Sequence, residues 1–474
     1  MSDVAQGNQA HEATLTCPRC GASGQVAGTF CENCGRAIVR VPEWAGPLRG
    51  RRKLFTGRRV ALLSVLLAFL GFVVWRNFPF IPDPMILLFK RPTTSLTSVF
   101  QPNQWSTSGG DITQSRYVDT ANRQSLGQVR WSQDLGQPTR SAPIIMDGVI
   151  YIGGHFKIMA LEADTGLPLW EKDTTGQVHS SLAAAGDNLY LGLLDHRLIA
   201  VDSRTGELRW EFMTQDIVTA SPVVARGIVY VGSWDGFLYA LDAATGELIW
   251  MYEAGSSIRP SAAFQDGALF ATNDDGNLYI LDARTGQERL MFRTPGSGTA
   301  SPVAANGLVY FPSGGWVYTV DADTKEIPGQ FLLKQVWAQF WLWQVPGVPQ
   351  PPGQQGGRWR FSPEDPERGI TASPALTPEA LYVGDIQGNF YAQNALSGAE
   401  LWRFPAQGSI VTSPVVVGDK VYFGSGAGFL YALDRFSGET IWQLSLESPI
   451  EVSPVFAGGY LYVRTSDGLL HAIE

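Results

Sequence analysis

All four cysteines of this 474-residue chain fall into two Cys-x-x-Cys pairs, Cys17 with Cys20 and Cys31 with Cys34. Thiolates in two such pairs, separated by ten residues, can close a tetrahedral zinc site. Because sulfur would fill all four positions, the metal would be structural rather than catalytic. Residues 14–38 are therefore predicted to form a zinc ribbon, which has almost no core of its own and should unfold without the metal.

The only long uncharged apolar run is 60–75, and residues 60–80 are predicted to form a transmembrane helix. A buried globular helix is the alternative. Arginine and lysine crowd a basic juxtamembrane linker, residues 39–59, which predicts a cytoplasmic amino terminus. The long preamble without a small-residue cleavage site favours an uncleaved signal anchor. The cysteines would then lie in a reducing compartment, which favours zinc over the alternative of a disulfide pair.

Charge is distributed unevenly along the chain. Residues 1–59 contain 9 Lys and Arg against 4 Asp and Glu, whereas the remainder contains 26 against 40. An acidic body is poorly suited to nucleic acid, whose recognition depends on neutralising phosphates, and no nucleic-acid partner is expected. Residues 81–122, rich in Pro, Thr, Ser and Gln, are predicted to be a linker that becomes ordered near Trp105–Asp111.

One pattern recurs eight times between Val129 and Glu474: a Ser-Pro start, a β run ending in Tyr-x-Gly, and then Leu-Tyr-Ala-Leu-Asp-x-x-Thr-Gly-x-x-x-Trp. The aspartate position of successive copies is 40, 40, 40, 39, 73, 40 and 40 residues apart. A fixed period near 40 with strand patterning is typical of a β-propeller. The predicted fold of 123–474 is an all-β, eight-bladed propeller with four-stranded blades. The aspartate position is occupied in turn by Glu162, Asp202, Asp242, Asp282, Asp321, Asn394, Asp434 and Glu474.

The third copy shows how one repeat can make one blade. Four β segments are predicted at 222–225, 228–232, 237–242 and 248–252, and the glycines between them supply the positive φ that tight turns need. The aspartate before Thr-Gly is interpreted as the hydrogen-bond acceptor of its turn. The recurring tryptophans are interpreted as packing anchors between blades rather than as ligand platforms: Trp170, Trp210, Trp250, Trp402 and Trp442.

The last copy ends after its third β segment. An unattached match to the fourth segment, Val129-Arg130-Trp131, precedes the first copy. This amino-terminal strand is therefore predicted to complete the carboxy-terminal blade, which would remove the open edges of the ring. The closed propeller is expected to be a monomer.

The repeat is interrupted once, after Asp321, where residues 325–357 are inserted at a Thr-Gly turn before Trp359 resumes the blade. Within 331–343 an apolar stripe follows helical spacing, with Lys334, Gln335, Ala338 and Gln339 opposite. We expect either a short helix over the end of the central channel or an exposed aromatic surface for a protein partner or the membrane interface. The candidate partner-binding residues are Leu333, Val336, Trp337, Phe340, Trp341 and Trp343.

A second candidate surface is formed by the loops between the second and third strands of the blades. These loops contain His155, Asp195, His196, Trp234, Asp235, Asp274, Asp275, Asp385 and Asp467. Their carboxylates could bind a cation or a basic peptide. Asp-Gly and Asn-Asp are also ordinary turn residues, and this second interpretation is favoured.

The repeats resemble the pyrroloquinoline-quinone-like (PQQ-like) β-propeller family over residues 103–474. The A-x-D-x-x-T-G-x-x-x-W copies carry the resemblance, and the segment from Trp105 to Tyr117 is similar to the start of such propellers. Leu290 in place of the fourth tryptophan and Lys325 in place of the fifth turn glycine depart from the pattern. Eight blades without enzymatic residues resemble the propeller lipoprotein of the bacterial β-barrel assembly machinery and the ectodomains of single-span bacterial receptors.

The resemblance also bears on cofactors. Quinone-dependent relatives hold PQQ over a tryptophan, under a disulfide between adjacent cysteines and beside a calcium ion. No cysteine follows Cys34, so that disulfide cannot form here, and PQQ is not expected. Structural zinc is the expected cofactor.

The sequence as a whole predicts a non-enzymatic, single-pass protein of the bacterial cell envelope. Its amino terminus would be cytoplasmic, and its propeller would be an extracytoplasmic scaffold for a protein partner or an envelope ligand. The alternatives are a PQQ-dependent dehydrogenase and a ligand sensor that signals to the cytoplasmic zinc ribbon.

Overall fold

The computed structural model of the protein describes most of the chain. In helices, the side chains of 57–60, 72–77 and 330–332 lie outside the description. Residues 39–56, which are nearly all of the predicted basic linker 39–59, also lie outside it. The chain divides into two compact units, Met1–Val73 and Val74–Glu474. The described residues are 15–17, 19–25, 29–35, 57–77, 83–98, 103–119, 126–298, 300–326, 330–363 and 369–474.

The first unit contains the cysteines and most of helix α1, Gly57–Asn77. Apolar side chains dominate the middle of α1, and those described, from Leu62 to Leu70, are exposed. The predicted span therefore forms a helix up to residue 77, while 78–80 lie outside the described residues. Within the described side chains, which in α1 run from 61 to 71, no helix is long and apolar enough to cross a membrane.

The second unit contains the predicted propeller. Among its described residues, strands form eight sheets, seven with four strands and one with five. Blades 1 to 4 consist of β3 Ile144–Met146, β4 Val149–Gly154, β5 Lys157–Glu162 and β6 Pro168–Asp173; β7 Ala183–Ala185, β8 Asn188–Gly192, β9 Arg197–Asp202 and β10 Leu208–Met213; β11 Val223–Ala225, β12 Ile228–Gly232, β13 Phe237–Asp242 and β14 Leu248–Glu253; β15 Ala263–Gln265, β16 Ala268–Thr272, β17 Leu278–Asp282 and β18 Glu288–Phe292.

The remaining blades have the same antiparallel order from inner to outer strand. Blade 8 takes its outer strand, β2 Val129–Asp134, from ahead of the repeats. Blades 5 to 8 otherwise consist of β19 Val303–Ala305, β20 Leu308–Ser313, β21 Trp316–Asp321 and β22 Gly357–Phe361; β23 Ala375–Leu376, β24 Ala380–Gly384, β25 Asn389–Asn394 and β26 Glu400–Pro405; β27 Val415–Val417, β28 Lys420–Gly424, β29 Phe429–Asp434 and β30 Thr440–Ser445; β31 Val455–Ala457, β32 Tyr460–Arg464 and β33 Leu469–Ile473.

The burial of each blade follows from its position between two neighbours. In blade 3 the second strand is buried along its whole length, whereas the outer strand β14 is buried only at Ile249 and Trp250. Apolar clusters join neighbouring sheets, as between blades 2 and 3 and between blades 3 and 4. The hydrophobic core therefore lies between the sheets, which is why a single blade cannot bury its own faces.

The predicted packing role of the tryptophans is confirmed. The indole of Trp210 in blade 2 donates from Nε1 to the carbonyl oxygen of Ala243 in blade 3 at 3.1 Å. The same ring covers Gly246 of the next Thr-Gly turn, where φ is +74° and an added Cβ would lie 2.7 Å from the indole. Only glycine fits there, so each tryptophan and the following turn glycine form one joint between blades.

The predicted closure of the ring is also confirmed. Strand β2 pairs antiparallel with β33, with Val129 opposite Ile473 and Trp131 opposite Ala472. Trp131 then donates to the carbonyl oxygen of Ala163 in blade 1 at 3.2 Å, as the other tryptophans do at their junctions. Both ends of the repeat region are thereby joined within one sheet.

The predicted linker, 81–122, differs from expectation, because its described residues belong to the propeller. Helix α2, Pro84–Phe89, begins at Asp83, and Thr93 donates to the carboxylate of Asp242 in blade 3. Residues 103–119, here called the axial segment, then cross the inner strands of the blades. The segment includes β1, Tyr117–Val118, which pairs parallel with β27.

The axial segment satisfies the free edges of the innermost strands. Trp105 exchanges two hydrogen bonds with Ile145 of blade 1, at 2.8 and 2.9 Å. Main-chain carbonyls of Ser106, Ile112, Thr113, Ser115 and Arg116 accept N–H groups from blades 2, 4, 5, 6 and 7. These edge groups need partners when they are buried, so the segment forms a floor across the channel at the Thr-Gly face.

Candidate functional sites

The four cysteines are brought together in the first unit. Their sulfur atoms lie within 4.8 Å of one another, with 3.6 Å between Cys17 and Cys34 and 3.7 Å between Cys20 and Cys31. Zinc–sulfur bonds of about 2.3 Å in a tetrahedron place sulfurs about 3.8 Å apart, whereas a disulfide requires about 2.05 Å. The four cysteines could therefore hold a metal ion such as zinc.

The backbone around the cysteines is shaped for ligation. Gly21 and Gly35 have φ of +70° and +69°. Each donates its N–H to the main-chain carbonyl oxygen of the first cysteine of the preceding pair. Main-chain N–H groups of Arg19 and Cys20 point at the sulfur of Cys17 and lower the pKa of this thiol to about 6, despite the opposing effect of burial. Cys17 is therefore deprotonated at neutral pH, which is the state that binds metal.

The inserted segment, 325–357, contains helix α3, Gln330–Leu342. Its two limbs are fastened to the outer strand of blade 4. On one limb Glu326 donates its N–H to the carbonyl oxygen of Arg289 at 2.8 Å, and on the other the amide of Gln354 exchanges two hydrogen bonds of 2.7 Å with the backbone of Arg293. None of the described residues of the insertion lines the central cavity. Both attachments are to the outer edge of blade 4 rather than to the inner strands that surround the channel.

The half-buried described side chains of α3 lie on its polar side, although Gln335 and Gln339 of that side are exposed. Lys334 and Ala338, on its polar side, are half-buried, and Lys334 pairs with Glu326 at 2.8 Å. Leu333 is 71% exposed and Trp343 is 69% exposed, although both are large and apolar. All six candidate partner-binding residues are exposed, so α3 presents an apolar face to solvent: Leu333, Val336, Trp337, Phe340, Trp341 and Trp343.

The position of the insertion follows from the joint between blades. Blade 4 has Leu290 where other blades have the docking tryptophan, and blade 5 has Lys325 where others have the turn glycine. These two positions face each other at one joint, so both the tryptophan and the glycine are replaced at the junction between blades 4 and 5. The chain leaves the turn there and returns at Gly356, whose carbonyl oxygen accepts the N–H of Asp321 at 2.8 Å.

A third candidate site lies on the axis of the propeller. A cavity of about 710 Å³, here called the central cup, has Ser108 and Arg116 of the axial segment at its floor. Its rim is formed by residues between blades, including Arg140 and His179, and by Thr465 and Ser466 after β32. The cup is therefore closed at the Thr-Gly end and opens at the opposite face.

A ring of serines forms the wall of the cup. Each of these serines follows a break between blades, and the hydroxyl oxygens of six of the seven accept a main-chain N–H from the preceding blade at 2.9–3.1 Å. The first repeat has Ala142 at this position, so the junction between blades 8 and 1 lacks this acceptor. The serine ring consists of Ser181, Ser221, Ser261, Ser301, Ser373, Ser413 and Ser453.

Arg464 occupies that last junction. In five of the other blades this position is a glycine, as in Gly232, where an added Cβ would lie 2.3 Å from Ile258 of the next blade, whereas blades 4 and 5 have Thr272 and Pro312. The buried guanidinium of Arg464 donates to the hydroxyl of Thr139 at 2.7 Å and to the carbonyl oxygen of Gly153 at 3.2 Å. It therefore joins blade 8 to blade 1 where the serine link is missing.

Arginines also make the cup positive. Burial lowers the pKa of Arg116 to about 10, despite the opposing effect of Asp111, so this side chain remains charged at neutral pH. Burial, followed by Arg140, His155 and Arg464, holds the pKa of His179 below its ordinary value. Sequence reasoning identified neither Arg116 nor Arg464 as a functional residue. The available signal for Arg464 was that it departs from the Tyr-x-Gly pattern.

Several carboxylates of the cup-side face accept main-chain N–H groups within their own turns, as the favoured interpretation expects: Asp235, Asp385 and Asp467. Asp195 pairs with Arg197 at 2.6 Å, Asp274 pairs with Arg259 at 2.7 Å, and Asp385 accepts hydrogen bonds from Gln387, Asn389 and Tyr391. Among the described residues, only the four cysteines bring three or more His, Cys, Asp or Glu side chains close enough to share a metal ion.

The central cup does not fit PQQ as the quinone-dependent relatives hold it. Its described lining residues include no tryptophan or cysteine, and their one carboxylate, Glu451, is exposed at the rim. A calcium site of several carboxylates is therefore not formed by the described lining residues.

Comparison with solved structures shows the same fold. BamB from Moraxella catarrhalis superposes with a TM-score of 0.60 at 17% identity, covering 74% of this chain and 98% of that protein. A europium-containing methanol dehydrogenase superposes with a TM-score of 0.63 at 14% identity, covering 77% of this chain and 90% of the enzyme. Propellers of this form thus occur both in an assembly factor and in a dehydrogenase.

Similarity to curated sequences is more local. The quinohemoprotein alcohol dehydrogenase ADH-IIG of Pseudomonas putida is 29% identical over 116 residues, which is 21% of this chain and 16% of the enzyme. A family model described as outer membrane protein assembly factor BamB matches residues 117–327, 238–351 and 342–474, which together cover well over half of the chain. By this match and by its closed eight-bladed ring, the chain belongs to the BamB family of PQQ-like β-propellers.

Proposed function

We propose that this protein is a membrane-anchored scaffold of the bacterial cell envelope that acts by binding rather than by catalysis. The observation that carries the proposal is the outward apolar face of α3. A soluble monomer rarely exposes contiguous large apolar side chains without a partner for them. Aromatic residues, tryptophan above all, are also the side chains that contribute most to protein–protein interfaces.

The attachment of α3 supports a role in binding a protein partner. The pair between Lys334 and Glu326 is largely shielded, with each side chain 15% exposed, and Trp337 donates from Nε1 to the carbonyl oxygen of Pro349 at 2.8 Å. These contacts hold the helix in place without using Leu333, Trp341 or Trp343. A rigid apolar surface binds at a lower cost in conformational entropy than a flexible one.

We further propose that α1 crosses the membrane, with the amino terminus in the cytoplasm. Support comes from the exposed apolar side chains of α1 and from the basic residues that precede it. The cysteine cluster would then be a structural zinc ribbon on the cytoplasmic side, where thiols stay reduced.

A surface-binding role predicts that the full-length protein forms crosslinks through α3. A photo-reactive residue at Leu333 or Trp341 should capture a partner in intact cells. The double variant Leu333→Glu and Trp341→Glu should lower recovery of that partner about tenfold or more, because charge at the centre of an apolar interface is costly. Crosslinking and quantitative mass spectrometry measure both effects.

Leu208 on outer strand β10 is a matched control, because it is also apolar and 57% exposed. A probe at Leu208 should give no crosslink, and Leu208→Glu should leave recovery unchanged. Equal recovery by the wild type and the α3 double variant would reject this helix as the contact. Binding of the wild type to lipid vesicles, lost in the double variant, would instead make α3 a membrane-interface element.

The membrane orientation makes a separate prediction. In intact cells stripped of their outer layers, added protease should digest the propeller of the full-length protein, whereas an epitope at the amino terminus should survive until the membrane is opened. Replacing Arg49, Arg51, Arg52 and Lys53 with glutamate should weaken this orientation, since it depends on positive charge beside the helix. Digestion of the epitope in unopened cells would contradict a cytoplasmic amino terminus.

A quinone-dependent dehydrogenase is the second candidate, and similarity to the alcohol dehydrogenase ADH-IIG favours it. The lining of the central cup argues against it, as described above. Purified protein supplied with PQQ and calcium should reduce no dye with alcohols or sugars as substrates. Sustained dye reduction in that assay would overturn the non-enzymatic proposal. A sensor function would require a separate cytoplasmic protein that recognises the zinc ribbon.

A further inference from the structure

The floor of the central cup holds a buried positive charge, Arg116, that forms no ion pair among the described residues. Arg116 is 5% exposed, and its Nε and Nη1 atoms have no hydrogen-bond partner among the described residues. Its side chain lines the cup from below. We infer that the central cup is a binding site for a small organic anion, held through a carboxylate or phosphate group by Arg116 and the hydroxyls of the serine ring.

The nearest carboxylate is already engaged elsewhere. Asp111 accepts hydrogen bonds from Thr113 N, Thr113 Oγ1 and Ser115 N at 2.7–3.1 Å, and a further one from the Ser115 hydroxyl. It acts on Arg116 electrostatically but forms no ion pair with it among the described residues. A buried charge without a hydrogen-bonded counterion is costly, so an incoming anion would gain by satisfying it.

The wall above Arg116 supplies further donors. Five serines of the ring line the cup, and the hydroxyl oxygen of each accepts a main-chain N–H from the preceding blade. Because each oxygen is used as an acceptor, its proton is free to be donated into the cavity. An oxyanion has several lone pairs and matches a guanidinium combined with several hydroxyl donors.

The dimensions of the cup decide the class of ligand. A volume of about 710 Å³ lies within the range of small-molecule sites, which is about 300–1,000 Å³. A bare ion would leave most of this space to water. An organic molecule that places one acidic group on Arg116 would fill it better, with Arg140 and His179 near the opening.

The test is calorimetric titration of the purified full-length protein with succinate, inorganic phosphate and neutral succinamide. Succinate and phosphate should bind and compete with each other, whereas succinamide should not bind. Arg116→Met should weaken binding of both anions about tenfold or more, since one hydrogen-bonded charge pair typically contributes at least that factor. Tighter binding of succinate than of phosphate would assign the site to carboxylates, and the reverse order would assign it to phosphates.

Two further variants keep the test decisive. Arg204→Met removes a remote arginine that is 74% exposed and should leave binding unchanged. Arg116→Lys keeps the charge without the planar fork and should weaken binding several-fold, which decides the question if Arg116→Met does not fold. Absence of anion binding to the wild type, or equal binding by the wild type and both Arg116 variants, would overturn the inference. The site is independent of α3, so neither outcome affects the proposed partner surface.

Discussion

Replacing Cys17 with serine should abolish zinc binding and unfold the amino-terminal ribbon, while the melting temperature of the propeller stays the same. Structural zinc sites of this type contribute about 10–16 kcal/mol at neutral pH, and the ribbon buries little besides its own cysteines. The propeller belongs to the other compact unit and should not respond. Elemental analysis of the full-length protein should find one zinc per wild-type chain and none in the variant.

Cysteine labelling reports on the fold of the ribbon directly. A maleimide should react slowly with the wild type. After a strong chelator is added it should label four thiols of the wild type, and in Cys17→Ser it should label three thiols without a chelator. Phe30→Ser is the matched control, since Phe30 is adjacent to Cys31 in sequence but is 70% exposed. That variant should keep its zinc. A Cys17→Ser protein that still bound one zinc with full occupancy would contradict four-thiolate coordination.

Much of the propeller could be predicted because the repeat carries its own structural reasons. In the third copy the predicted segments differ from β11, β12, β13 and β14 by at most one residue at an end. The alternation of turn glycines and apolar runs specifies hairpins locally, and the tryptophan specifies where the next blade docks. The place of β2 in the last blade followed from a fourth segment that was missing from one end and present at the other.

The axial segment could not be predicted in the same way. Residues 103–119 have no repeat and no regular apolar period, and they are ordered by main-chain hydrogen bonds to six different inner strands. Such bonds depend on the backbone and leave little trace in side-chain types. For the same reason Arg116 was noted only as part of a family resemblance, although its burial makes it the most unusual charge in the cup.

The inserted helix was predicted in part. Apolar spacing in 331–343 indicated a helix, and α3 has nearly those bounds. Amphipathicity normally predicts that the apolar face packs inward. Here an ion pair between Lys334 and Glu326, together with loop hydrogen bonds, fixes the helix while its large apolar side chains stay exposed. Sequence period alone cannot distinguish a helix that packs on its own protein from one that presents its apolar face to a partner.

Replacing Arg464 with methionine should lower the free energy of unfolding by about 3 kcal/mol. Methionine keeps much of the apolar volume but removes the donor to the Thr139 hydroxyl at the junction of blades 8 and 1. It also removes one of the two donors to the Gly153 carbonyl, which keeps its hydrogen bond from Thr139 Oγ1. Hydrogen bonds from a charged group contribute about 1.5–3 kcal/mol each, and relief of the buried charge offsets part of their loss. Denaturant unfolding of the full-length protein measures the change.

The location of the damage tests the role of Arg464 more sharply than its size. If Arg464 replaces the missing serine link at Ala142, limited proteolysis of Arg464→Met should begin at β2 and the 135–143 segment rather than at other junctions. Arg358→Met is the control, because Arg358 forms an exposed ion pair with Asp321 at 2.6 Å, and it should cost less than about 1 kcal/mol. Equal stability and equal cleavage patterns in the two variants would mean that pairing of β2 with β33 closes the ring unaided. A propeller assembled from near-identical repeats has one junction where its ends meet, and an exception to the repeat at that junction is where closure should be controlled.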